Sequence, residues 1–187
     1  VWSDTFLRPD EPGFRDMVSR YLRWLARNCQ NQFTFHMLKT VDLDAWAPYM
    51  ESIVEEAHSL MIQTGAVIGF VDQQQNAYKM IGELPDLPEK EQLAKRVDAV
   101  LGTGLDILGI QIGASEFVKP PDEDVRRWIG LLMEHLKTNW PDVKAYAWIH
   151  PPCDLEDEDG GLFFHLPLDA DADFGAWVHT TMLYDME

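Results

Sequence analysis

The sequence predicts an α+β fold: a mixed β-sheet with helices packed on it and an antiparallel C-terminal strand meander. Four segments repeat apolar residues at three- and four-residue spacing, the mark of amphipathic helices. Short apolar or alternating runs lie between them, as strands do. The last third then holds three strand-like runs in succession, joined only by acidic turns. The chain has 187 residues, of which 46% are hydrophobic. That suffices for one packed core, so residues 1–187 read as a single globular α+β domain.

The first helix runs from about Glu11 to Cys29, where Phe14, Met17, Val18, Tyr21, Leu22 and Leu25 form one apolar stripe. Arg15, Arg20, Arg23 and Arg27 lie mostly off it. From Gln32 to Val41 the pattern alternates, with Phe33, Phe35, Met37 and Val41 on one side and Thr34, His36 and Thr40 on the other. This is a half-buried strand. A second helix starts near Asp44 as N-cap, with Pro48 in its first turn. Its inner face is Trp46, Met50, Ile53, Val54, Ala57, Leu60 and Met61, and Gly65 is its expected stop.

Ala66–Val71 is short, apolar and bounded by Gly65 and a polar turn, so it reads as a buried strand. Pro88 opens a shorter helix with Leu93, Val97, Val100 and Leu101 inside, closed by Gly102. Leu105–Ile112 is a further buried strand. Pro120-Pro121-Asp122 starts a helix through Lys137, with Val125, Trp128, Ile129, Leu132, Met133 and Leu136 inward. Three strands follow, Val143–His150, Leu162–Leu168 and Gly175–Tyr184. Asp154–Asp159 with Gly160-Gly161 joins the first two, and Asp169-Ala170-Asp171-Ala172-Asp173 the second pair.

Charge is the most uneven property. The formal net charge is −17, from 15 Lys+Arg against 32 Asp+Glu. Thr40–Tyr78 holds no Lys or Arg, and neither does Pro151–Glu187, which alone carries −10. Such a chain is repelled by nucleic-acid phosphates and by anionic membranes. No apolar run approaches the roughly 20 residues of a membrane span. The first residues, Val1-Trp2-Ser3-Asp4, lack the basic and apolar regions of a secretion signal. Two cysteines, Cys29 and Cys153, make no disulfide framework. A cytoplasmic location is expected.

His150, Cys153, His165 and His179 are zinc-ligand types on adjacent expected strands, yet they match neither a structural Cys/His spacing nor HExxH. Asp154–Gly161 and Asp169–Asp173 are rich in hard oxygen ligands. Neither meets the EF-hand pattern, because Asp159 and Phe174 stand where the loop needs glycine. Acids around Cys153 would raise its thiol pKa and disfavour nucleophilic use. There is no G-x-S-x-G elbow and no P-loop. Glu51, Glu55 and Glu56 share a helix flank. What remains is asymmetry: cation-free stretches hold most of the negative charge, with aromatics such as Trp148, Phe163 and Trp177 nearby.

A small, strongly acidic domain without a catalytic constellation is similar in kind to immunity proteins that neutralise bacterial toxins, and to acidic inhibitors of nucleases. That likeness implies a non-enzymatic protein that binds a basic protein partner, a cognate toxin or nuclease. It would do so without cofactor, nucleic acid or membrane. The binding residues would be Asp154, Glu156, Asp157, Glu158, Asp159, Asp169, Asp171, Asp173 and Trp177, since carboxylates pair strongly with arginines at an interface. The alternative is a small metal-binding protein or hydrolase using His150, Cys153, His165 and His179.

Overall fold

The computed structural model describes residues 2–72, 76–113, 119–149, 156–170 and 173–178. The helices are α1 (Trp2–Leu7), α2 (Phe14–Arg27), α3 (Leu43–Ser59), α4 (Glu89–Leu101), α5 (Asp122–Asn139) and α6 (Leu166–Ala170). The strands are β1 (Gln32–His36), β2 (Gln63–Gly69), β3 (Ile107–Gln111), β4 (Lys144–Ile149) and β5 (Gly175–Val178).

The sheet corrects the expected fold class. Its five strands lie in the order β1-β2-β3-β4-β5, and every neighbouring pair is parallel. The fold is α/β: among the described residues the sheet is all-parallel, not mixed, and no antiparallel meander closes it. The difference arises at Leu162–Leu168, expected as a strand, which forms a 3-10 turn over Phe163–His165 and then α6. Phe163 and Leu166 are both fully buried at a spacing of three, the helical period, and Pro167 stands in the first turn of α6. A run of seven mostly apolar residues fits strand and helix alike. Because this segment is a crossover, β5 returns parallel to β4.

α1 has no counterpart in the sequence expectation, and β1 ends at His36 where the expected strand ran to Val41; α2 to α5, β2, β3 and β4 follow their sequence signals with local shifts. Asp42, not Asp44, caps α3: its Oδ1 accepts from Asp44 N at 3.1 Å and Ala45 N at 3.3 Å. The helix ends at Ser59, and Met61 is left-handed (φ 59°) and 86% exposed, so it belongs to a turn and not to the inner face. Gly65, expected as the helix stop, lies inside β2. A Cβ there would stand 2.7 Å from Ile107 Cβ and 2.9 Å from Thr34 Cγ2, so close strand packing is what requires glycine. Met17, assigned to the inner stripe of α2, is exposed; Val18, Leu22 and Leu25 are buried.

The register separates the two faces of the sheet. Phe33, Phe35, Ala66, Ile68, Leu108, Ile110, Ala145 and Ala147 face the helices and join one apolar core with Trp46, Ile53, Leu93, Val97, Ile129 and Leu132. Trp46 is fully buried there, and its indole N–H donates to Phe6 O at 2.9 Å. Thr34, His36, Val67, Ile107, Gly109, Gln111, Tyr146, Trp148 and Trp177 face the other way. In a flat sheet β1 and β4 would be about 14 Å apart. The rings of His36 and Trp148 nevertheless meet at 4.8 Å, edge to face. The sheet therefore curls toward this second face and makes it concave.

Candidate active site on the concave face

Parallel strands taken in sequence order, helices outside and a concave inner face are the winding of a (β/α) barrel, here over five strands. A doubly wound sheet would reverse its strand order part-way. In barrels of this kind the C-terminal ends of the strands carry the chemistry, because the βα loops converge there on a rigid support.

Here those ends bring together His36 of β1, Gln111 of β3, Trp148 of β4 and Trp177 of β5. Tyr146 stacks on Trp177 with centroids at 4.7 Å and planes 6° apart. Two glycines make room for these rings. A Cβ on Gly109 would stand 2.6 Å from Trp177 Cζ3 and 2.8 Å from Val67 Cγ2. A Cβ on Gly175 would be forced into the Tyr146 ring. Large rings interdigitate with glycines, as the tapering interior of a small barrel demands. Tyr146, Trp148 and Trp177 remain half-buried, and Gln111 is buried. Burial holds the His36 imidazole below its ordinary pKa, so the ring favours its neutral form, a donor at one nitrogen and an acceptor at the other.

The loops at this end are pinned by polar contacts. Residues 76–81 fold back between the ends of β1 and β2: Tyr78 N donates to Met37 O at 2.8 Å, and Met80 N to Gly69 O at 2.9 Å. Lys79 pairs with Asp72 at 2.7 Å and Glu83 at 3.2 Å. Arg96 lies 3.6 Å over the Tyr78 ring and donates to Lys79 O. Beyond β3, Lys119 pairs with the buried Asp122 at 3.0 Å and sits 4.9 Å over the Phe163 ring. Asp122 also accepts from Glu158 N at 2.6 Å, which ties the acidic loop to the start of α5. Burial alone would raise the Asp122 pKa; Lys119, the Glu158 N–H and Arg126 outweigh it and hold the carboxyl below its usual range.

The residues expected from sequence fall into three groups, with Trp177 apart from them. Asp154, Asp171, His150, Cys153 and His179 lie outside the described residues. Asp157, Asp159 and Asp173 are engaged within the chain. Asp157 Oδ1 accepts from Asp159 N at 3.0 Å and Gly161 N at 2.6 Å, closing the turn. Arg126 lies 3.9 Å from Asp159, and Lys137 pairs with Asp173 at 3.0 Å. Glu156, Glu158 and Asp169 are exposed. His165 stands exposed at the end of the 3-10 turn, not on a strand. Among the described residues no three His, Cys, Asp or Glu side chains group closely enough to hold a metal. Trp177, expected as a partner-binding anchor, lies on the concave face beside Trp148.

The sequence pattern alone does not point to His36, Gln111 or Tyr146 as site residues. The sequence carries a weak signal for them: His36 falls on the side of its strand opposite Phe33 and Phe35, and Gly109 and Gln111 interrupt an otherwise apolar strand.

The class of protein that this geometry defines is a (β/α)-type parallel α/β unit. No known family model matches the chain, and no curated protein matches it significantly. Solved structures do resemble it. One is a mutant O-GlcNAc hydrolase from Thermobaculum terrenum, at TM-score 0.57 and 12% identity, over 87% of this chain and 37% of that one. Another is the carboxyl transferase domain of Rhizobium etli pyruvate carboxylase, at TM-score 0.56 and 12% identity, over 88% of this chain and 24% of that one. The chain thus spans well under half the length of these two structures. These neighbours are enzymes, whereas the sequence suggested a non-catalytic binder; at this identity the likeness shows the shared fold. No helix among the described residues is long and apolar enough to cross a membrane.

Proposed function

We propose that the concave face binds a small carbohydrate at the C-terminal ends of β3–β5. The observation that carries this reading is the set of half-buried rings, Tyr146, Trp148 and Trp177, gathered beside His36 and seated over Gly109 and Gly175. Concave, aromatic-lined surfaces with a few fixed polar groups are where small ligands bind. Flat indole and phenol faces suit the apolar C–H face of a sugar ring, while the neutral His36 imidazole offers a donor and an acceptor to its hydroxyls. The resemblance to an O-GlcNAc hydrolase supports a sugar over other small polar ligands. Titration of the purified chain with N-acetylglucosamine and methyl glycosides, followed by tryptophan fluorescence and saturation-transfer NMR, tests it. Saturable binding that weakens about tenfold in Trp148→Ala and Trp177→Ala is expected. Affinities within twofold of the parent in both variants would refute the reading.

A second reading keeps the acidic loop as a receptor for a basic protein such as a toxin or nuclease, and the exposure of Glu156, Glu158 and Asp169 favours it. Its test is the triple change Glu156→Gln, Glu158→Gln, Asp169→Asn. Unaltered affinity for a basic nuclease that the parent chain binds would remove it.

A further inference from the structure

The outer surface of α2 carries a stripe that the packing of the helix does not use. Its inner residues Val18, Leu22 and Leu25 are buried. On the flank toward α3, Arg15 and Arg23 grip Glu56 at 2.7 Å and 3.6 Å. The outward flank presents Met17, Arg20, Trp24 and Arg27, spaced three, four and three residues apart and so aligned along the helix. Met17 is 43% exposed and Trp24 56%. Tyr21 stacks behind Trp24 with centroids at 6.1 Å.

Arg20 and Arg27 are exposed and meet no carboxylate among the described residues. Lys39, Lys95, Arg96 and Lys144 also pair with no carboxylate among the described residues; what sets Arg20 and Arg27 apart is the exposed Met17 and Trp24 beside them. Arg8, Arg15, Arg23, Arg126 and Arg127 each hold at least one carboxylate.

We propose that this stripe docks an acidic amphipathic helix of a partner protein, independently of the concave site. Apolar side chains of that helix would seat on Trp24 and Met17, and two of its carboxylates would pair with Arg20 and Arg27. The arginines stand seven positions apart, so their stems start about 10.5 Å apart along α2. Carboxylates seven residues apart on a second helix have the same spacing. Exposed Trp, Met and Arg backed by a half-buried Tyr are the composition of interface centres.

Charge complementarity also decides among partners. Extended phosphate surfaces, whether nucleic acid or anionic lipid, would feel the whole −17 chain as well as Asp16 beside the stripe. A single helix pairs its carboxylates at contact distance, inside the roughly 8 Å over which salt screens the rest. A second copy docked through the same stripe would set arginines against arginines.

The probe is a fluorescein-labelled helical peptide of about 18 residues with Glu at i and i+7 and Leu at i+3 and i+4, read by anisotropy. Saturable binding is expected, weakened about tenfold or more by Trp24→Ala and by the pair Arg20→Glu, Arg27→Glu. A peptide with Lys at i and i+7 should recover binding to the charge-reversed pair. All four positions are on the surface, and circular dichroism checks that each variant folds; the milder pair Arg20→Ala, Arg27→Ala is the alternative if one does not. The proposal is overturned if the peptide fails to saturate by about 1 mM. It is equally overturned if the variants bind within twofold of the parent, or if phosphatidylserine vesicles or single-stranded DNA bind more tightly than the peptide.

Discussion

The two faces of the sheet are built from opposite choices. On the convex face Phe35, Ile68, Ile110 and Ala147 meet helices and are buried at 4% exposure or less. On the concave face glycines alternate with large rings, and Tyr146, Trp148 and Trp177 stay half-buried. The contrast separates residues that hold the fold from residues that the fold holds up for use. Tryptophans on the two faces should therefore respond differently to truncation.

Trp46→Ala on the convex side removes a fully buried indole and its hydrogen bond to Phe6 O. It should destabilise the chain by about 3–5 kcal/mol in urea titration. Trp148→Ala on the concave side should lower stability by less than about 2 kcal/mol, because part of its surface is already in water. It should nevertheless reduce sugar binding. Equal stability losses at the two sites would erase the distinction between the faces.

Gly109→Ala sharpens the comparison from the other direction. The added methyl would stand 2.6 Å from the Trp177 ring and 2.8 Å from Val67 Cγ2, and neither neighbour is free to retreat far. Overpacking of this kind costs about 1–3 kcal/mol. Displacement of Trp177 from its stack on Tyr146 should also change the near-ultraviolet circular dichroism. An unchanged spectrum together with unchanged stability would mean that the rings are not held as described.

The convex side and its helices were the more legible part of the sequence. Apolar periodicity marked α2 to α5, and continuous apolar runs marked β2 and β3, because burial leaves a one-dimensional trace. Strand direction leaves no such trace. It depended on whether Leu162–Leu168 was a strand or a crossover, and Phe163, Leu166 and Pro167 decide that only through burial at helical spacing. The concave face was harder still. His36, Gln111 and Trp148 lie on three different strands, separated by 75 and 37 positions, so only the register and curl of the sheet make them neighbours. The acidic loop was conspicuous as composition, but what fixes it, Asp122 accepting from Glu158 N, joins groups 36 positions apart.

The convex side also contains an electrostatic tie. Burial works against the charged form of Glu56, but the Ser19 hydroxyl, Arg15 and Arg23 outweigh it and hold the carboxyl below its ordinary pKa. A carboxyl depressed in the folded state adds stability above its unfolded pKa and loses it as pH falls through the folded value. Stability of the parent chain should therefore decline below about pH 4.5, and Glu56→Gln should make that decline shallower. At neutral pH the same change should cost at most about 1 kcal/mol, since Arg15 and Arg23 are partly solvated.

The smallest effect belongs to His36 on the concave face, and it begins at a different pH. Burial lowers the folded-state pKa of this imidazole beneath its ordinary 6.5. The unfolded chain therefore takes up the proton first, and stability contributed by neutral His36 is complete above about pH 6.5 and falls as pH drops below it. His36→Gln keeps a polar side chain without the titration. Urea midpoints of parent and variant should run parallel from about pH 7 to 8 and diverge between about pH 6.5 and 5, with the parent losing more. Glu56 does not titrate in that window, so the divergence reports the concave face alone. Parallel curves down to about pH 5 would mean that the ring is as well solvated in the folded chain as in the unfolded one, and that the curl bringing it against Trp148 is absent.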